Sequence, residues 1–87
     1  MEQRKGENKP LGIKGLLGVG LDGRDGHTRI SRGANFFLVG GSKQTHERMQ
    51  HFALKFNERV DERGKKMEDI NRHELQEIVE EIHEEED

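Results

Sequence analysis

The sequence contains no cysteine, no tryptophan and no tyrosine, has a single proline, and lacks any apolar run near the length of about 18 residues that spans a membrane. Without cysteine there is no disulfide staple, no thiolate nucleophile and no zinc site built on sulfur. The opening stretch MEQRKGENKPLGIKG holds no apolar signal core. Together these absences lead to the expectation of a cytoplasmic protein with no membrane contact. Aromatic residues are reduced to four phenylalanines, which leaves no stacking pattern for single-stranded nucleic acid.

What is present is charge and a small apolar set. Asp, Glu, Lys and Arg make up 38% of the 87 residues, and after the initiator only 22 residues are Leu, Ile, Val, Phe or Met. A chain of this length forms one domain and buries only roughly 60–65% of the surface exposed when unfolded. Association with a second copy would add apolar burial that the monomer lacks.

The charge is uneven. Residues 1–33 hold seven Lys or Arg against four Asp or Glu, whereas residues 34–87 hold eight against fourteen, giving the overall −3. Residues 68–87 carry ten carboxylates and one cation, Arg72. Arg24, Arg29 and Arg32, with Arg4, Lys5 and Lys9 upstream, are the one basic thread. An anionic C-terminal end opposes phosphate-backbone binding, so nucleic acid is not the expected partner. The arginines are expected to meet the carboxylates of the last helix instead.

Residues 1–10, MEQRKGENKP, contain one apolar residue and are expected to form a loose arm, leaving residues 11–87 as a single domain. From there Leu11, Ile13, Leu17, Val19 and Leu21 fall on odd positions, and Gly12, Lys14, Leu16, Gly18 and Gly20 on even ones. Period-two alternation predicts a strand with one apolar face and one glycine-lined face. The glycine face suits either a closely packed helix or the close approach of a ligand or partner backbone. LDGRDGHT, with two Asp-Gly pairs, reads as a hairpin, its aspartates forming the turns. HTRISRG then supplies a second strand and NFFLVGG a third, apolar on both faces. The short links favour antiparallel neighbours.

Two helices follow. Met49, Phe52, Ala53, Phe56 and Val60 recur at spacings of three and four, and Gly64 supplies a stop. INRHEL combines an Asn71 cap, Glu74 three residues on, and Ile70 placed to staple against Leu75; Leu75, Ile78, Val79 and Ile82 form the expected buried stripe. The fold class is therefore α+β: a three-stranded antiparallel β-meander followed by two amphipathic α-helices.

Few residues offer chemistry. Gly40, Gly41, Ser42 and Lys43 stand where a strand meets a helix start. Free N–H groups there could hold an anion or nucleotide phosphate, with Arg29 or Arg32 reaching from the neighbouring strand. The spacing is not that of a nucleoside-triphosphate loop, and Ser42 as a plain helix cap explains the same residues. His46 and Glu47 open an H-E-x-x-H pattern, but the second histidine is His51, rotated by about 100° off the face, so no metal site is expected. His27, His73 and His83 have no ligand spacing. Ser31 and Ser42 lie near histidines without forming any known nucleophile motif. No catalytic residue and no cofactor is assigned.

The expected function is a non-enzymatic interaction module that self-associates as a homodimer or binds a protein partner. Phe36, Phe37, Leu38 and Val39 are its candidate interface, because adjacent residues of a strand point to opposite faces and two short helices cover only one. Phe36 pairs with Leu38 as one set and Phe37 with Val39 as the other. The alternative is an anion- or nucleotide-binding protein using Gly40 to Lys43.

Overall fold

The computed structural model describes residues 9–85, so most of the arm expected over residues 1–10 lies outside the described residues. Three strands, β1 (Leu16–Gly20), β2 (Ile30–Arg32) and β3 (Phe36–Gly40), precede two helices, α1 (Lys43–Glu62) and α2 (Arg72–Glu85), with a 3-10 turn at Met67–Asp69 between them. The class is α+β. None of these helices is long and apolar enough to cross a membrane.

The sheet corrects the expected meander. Its order is β1-β3-β2, with β3 parallel to β1 and antiparallel to β2, so the sheet is mixed. Strand β3 pairs Phe36 to Gly40 against Leu16 to Gly20 on one side, and Val39, Leu38 and Phe37 against Ile30, Ser31 and Arg32 on the other. Short links excluded only a direct crossover. The chain instead spends residues 21–35, with β2 among them, between the parallel partners, about the dozen or more residues such a connection needs. The Asp-Gly pairs form no β1–β2 hairpin. A strand apolar on both faces belongs in the middle, and β3 occupies it.

The described chain divides into two compact units, one of Gly15–Leu54 and one of residues 9–14 with 55–85, and α1 runs from the first into the second. In the first unit the glycine face of β1 is the covered one. A Cβ added to Gly18 would lie 2.8 Å from Cδ2 of Leu38 on β3 and 2.9 Å from Sδ of Met49 on α1, so these two side chains sit where a larger residue would stand. Leu38, Ala53 and His46 are buried there, and Phe36 and Met49 are half-buried. The odd positions of β1 that periodicity marks as apolar face the other way.

In the second unit Phe56, Val60, Met67, Ile70, Ile78 and Ile82 are buried. Gly64, at φ 68°, ends α1 in the left-handed region. Helix α2 starts on the reciprocal capping pair: Glu74 N donates to Asn71 Oδ1 at 2.8 Å, and Asn71 N to Glu74 Oε1 at 3.0 Å. Lys65, first, and that N–H, second, hold the Glu74 carboxyl below its usual pKa. Residues 11 and 12 are tied in by Leu11 N to Ile70 O and Gly12 N to Glu68 O. Val79 departs from the expected buried stripe and is exposed, since Ile78 and Ile82, four apart, already define the inward line.

Candidate functional site

Strand β3 passes into α1 through Gly40 and Gly41, at φ 82° and 86°. Both conformations belong to glycine, and backbone crowding adds to the requirement: a Cβ on Gly40 would lie 2.6 Å from Gly20 O. Ser42 caps α1 by accepting from Thr45 N at 3.2 Å. The helix start is then filled from the β1–β2 loop. Asp22 Oδ1 accepts Ser42 N at 2.8 Å, while Oδ2 accepts the hydroxyls of Thr45 at 2.7 Å and Ser42 at 3.1 Å. These bonds, that of Thr45 first, hold the Asp22 carboxyl below its usual pKa. Asp22 thus supplies the anion that a helix N-terminus attracts, a role the turn-former reading of the Asp-Gly pairs missed.

Of the six residues considered for an external anion, Gly40, Gly41 and Ser42 stand together at this turn, and Arg29 reaches it by donating to Gly41 O at 3.3 Å. Arg29 also donates to both carboxylate oxygens of Asp25, whose pKa falls to about 2, chiefly through Arg29 and then through His27 N–H. Lys43 is exposed, with no ion pair among the described residues, and Arg32 sits against Phe37 in the register, away from the turn. The carboxylates of α2 are met by other cations: Arg59 by Glu81 and Glu85, Arg63 by Glu77 and Glu81, Lys65 by Glu74. The expected meeting of the loop arginines with α2 is therefore replaced, for Arg29, by a local pair.

The sheet face away from Leu38 is open. Leu17 is 72% exposed, Val19 56%, Ile30 58% and Phe37 40%, and Val39 lies among them by register. Leu21, just past β1, is also exposed. Among the described strand residues, Arg32 on the outer strand is the one charge on this face. The interface residues from the sequence divide accordingly: Phe37 and Val39 belong to the open face, and Phe36 and Leu38 to the helix-covered one. Leu17, Val19 and Ile30 were missed, and the alternation of β1 was the signal that marked two of them.

On the covered face the structure joins three polar side chains that sequence distance had hidden. His46, on the first turn of α1, is 5% exposed, and its ring bonds at both nitrogens: Nδ1 to Gly40 O at 2.9 Å and Nε2 to Ser31 Oγ at 2.8 Å. A carbonyl only accepts, so Nδ1 carries the proton in the neutral ring and Nε2 accepts from the Ser31 hydroxyl. Gln50, one turn further along α1, donates to Ser31 Oγ at 2.7 Å. Among the described residues no group of three or more His, Asp or Glu is placed to hold a metal ion.

No protein-family model, no curated protein and no solved structure matches this chain.

Proposed function

We propose that this protein is an interaction module that acts as a homodimer, two copies meeting through the open faces of their sheets. The observation that carries the reading is the run Leu17, Val19, Ile30, Phe37 and Val39 across all three strands on one exposed face. At the exposures given above for Leu17, Val19, Ile30 and Phe37, and with Val39 half-buried, these residues present on the order of 400–500 Å² of surface per copy, as large as the biggest patch on an ordinary monomer. Two such patches, fully covered, bury about 900 Å² together, close to the roughly 1,000 Å² of a specific interface. A second copy also fits the charge. The face has no charged residue at its centre, and Arg32 stands at its margin, so a two-fold pairing desolvates no unpaired ion.

Sedimentation equilibrium at micromolar concentration tests the reading. A dimer is expected for the native chain and a monomer for Val19→Lys, which puts an ammonium into the apolar patch beside Val39. A native chain that is strictly monomeric across the range sinks the proposal.

The rival reading, anion or nucleotide binding at Gly40 to Lys43, has the Asp22 carboxylate against it, since an incoming phosphate would have to displace an anion already bonded to Ser42 and Thr45. Amide shifts of residues 40–43 on titration with phosphate and ATP distinguish the two, and a saturable response there would favour the rival.

A further inference from the structure

The contacts of Ser31 support an inference that goes beyond self-association and lies on the opposite face of the sheet. We propose that Ser31 is a reactive nucleophile, with His46 as its general base, that accepts the acyl group of a small carboxylic ester. A serine hydroxyl is unreactive unless an adjacent base takes its proton, and the base works only in the right tautomer and orientation. Both conditions are met here. Gly40 O fixes the proton on Nδ1 of His46, and the Nε2 lone pair then faces Ser31 Oγ at 2.8 Å. Gly40 can turn its carbonyl toward the ring because, at φ 82°, it leaves the extended conformation at the end of β3.

The site is reachable. Ser31 is half-buried and lines an open groove of about 420 Å³ together with Arg32, Phe36, Gln50 and Leu54. Phe36 and Leu54 give the groove an apolar wall suited to a short acyl chain. Two donors are available to a developing oxyanion. One is the Gln50 amide, 2.7 Å from Ser31 Oγ. The other is the Arg32 backbone N–H. The bonds Gly40 N to Arg29 O and Gly33 N to Phe36 O turn the odd residues of the β2 segment toward β3, which leaves Ile30 and Arg32 facing outward from the sheet edge. The residue after a nucleophile is a recurrent source of such a donor.

The step balances without any further reagent. Ser31 Oγ bonds to the ester carbonyl carbon as its proton passes to His46 Nε2. The tetrahedral oxyanion collapses, the bond to the alcohol oxygen breaks, and the departing alcohol takes the proton from Nε2. Water then repeats the sequence on the acyl-serine and releases the acid.

The test uses a fluorophosphonate on the full chain, which forms an Oγ–P bond and expels fluoride. Ser31 and Ser42 are the only serines in the sequence, so Ser42 is an internal control of the same chemistry, with its hydroxyl given to Asp22 rather than to a base. Intact mass and peptide mapping should show one adduct, on Ser31, forming at least about 100-fold faster than any on Ser42, within the range a positioned base supplies. His46→Asn keeps an amide donor for Gly40 O but removes the base, and with an unchanged circular dichroism spectrum it should lose Ser31 labelling by roughly 10²- to 10⁴-fold. Where that variant fails to fold, the native comparison decides alone. A purely structural staple between β2 and α1 leaves Ser31 as inert as Ser42, and absent or equal labelling of the two overturns the proposal whatever the oligomeric state.

Discussion

Replacing Gly20 by alanine tests the close approach on which the whole β3–α1 turn depends. A Cβ at Gly20 would lie 2.5 Å from Gly41 Cα, 2.8 Å from Gly41 N and 3.1 Å from Gly40 C. Ordinary carbon contacts stand at about 3.5–4.0 Å, so the end of β1 would have to move away from the turn by about 1 Å. The obstacle is backbone, and no side-chain rotation relieves it. Overpacking of this kind costs about 1–3 kcal/mol. Separation also strains the last rung of the parallel ladder, Gly20 with Gly40, and a lost backbone bond adds about 1 kcal/mol. Alanine returns about 0.5–1 kcal/mol by restricting the unfolded chain. The net expectation is a loss of about 1–3.5 kcal/mol, from a total on the order of 4–13 kcal/mol for a chain of this length.

Gly26→Asn is the control. Gly26 has φ 78° and nothing within 4 Å of its added Cβ, and asparagine tolerates the left-handed region, so its cost should stay below about 1 kcal/mol. The assay is urea unfolding followed by far-ultraviolet circular dichroism at fixed protein concentration, because the chain has neither Trp nor Tyr for fluorescence and a dimer's midpoint depends on concentration. Equal midpoints for native chain and Gly20→Ala, or a larger loss for Gly26→Asn, would refute the reasoning.

Asp22 and Asp25 have lowered pKa values, so their contribution to stability is fully present above about pH 4 and is lost as pH falls through the folded values, about 2 for Asp25. Thermal melts should therefore show Asp22→Asn less stable than the native chain at pH 7, with the gap narrowing toward pH 2; a gap independent of pH contradicts the capping role. Asn71→Ala removes the acceptor for Glu74 N and should cost about 0.5–2 kcal/mol in urea unfolding, with an unchanged midpoint counting against the capping box. Leu38→Ala should lower stability by roughly 2–5 kcal/mol, whereas Phe37→Ser should chiefly shift the sedimentation profile toward monomer. If both variants unfold alike and neither changes association, the two-faced sheet has been misassigned.

The elements legible in the sequence were those specified by neighbours along the chain. The start of α2 was readable because Asn71, Glu74 and the flanking apolar residues act within one turn, and the end of α1 because Gly64 is local chemistry. Strand pairing was not readable in the same way. Asp-Gly pairs signal a turn through backbone freedom, but nothing in them says whether the aspartates cap their own turn or a helix twenty residues away, as Asp22 does. The Ser31–His46–Gln50 cluster was invisible for the same reason. It joins residues 15 and 19 apart across a strand-to-helix turn, and each alone looks like an ordinary polar residue.

The burial of β1 shows how local pattern and tertiary packing divide the decision. Period two marks Leu17 and Val19 as one face and Gly18 and Gly20 as the other, and hydrophobicity alone assigns the first set to the core. Packing distance overrides that assignment. Helix α1 leaves Gly40–Gly41 after only one intervening residue, Ser42, and Met49 comes within 2.9 Å of the position a Gly18 Cβ would occupy. The side that admits such an approach is the side without side chains. Once the helix takes the glycine face, Leu17 and Val19 are displaced outward beside Phe37 and Val39, and a patch across three strands follows as a geometric consequence. Glycines at 18 and 20 therefore fit the covered side to α1 and at the same time commit the apolar side to solvent, where only another surface of like character removes it from water.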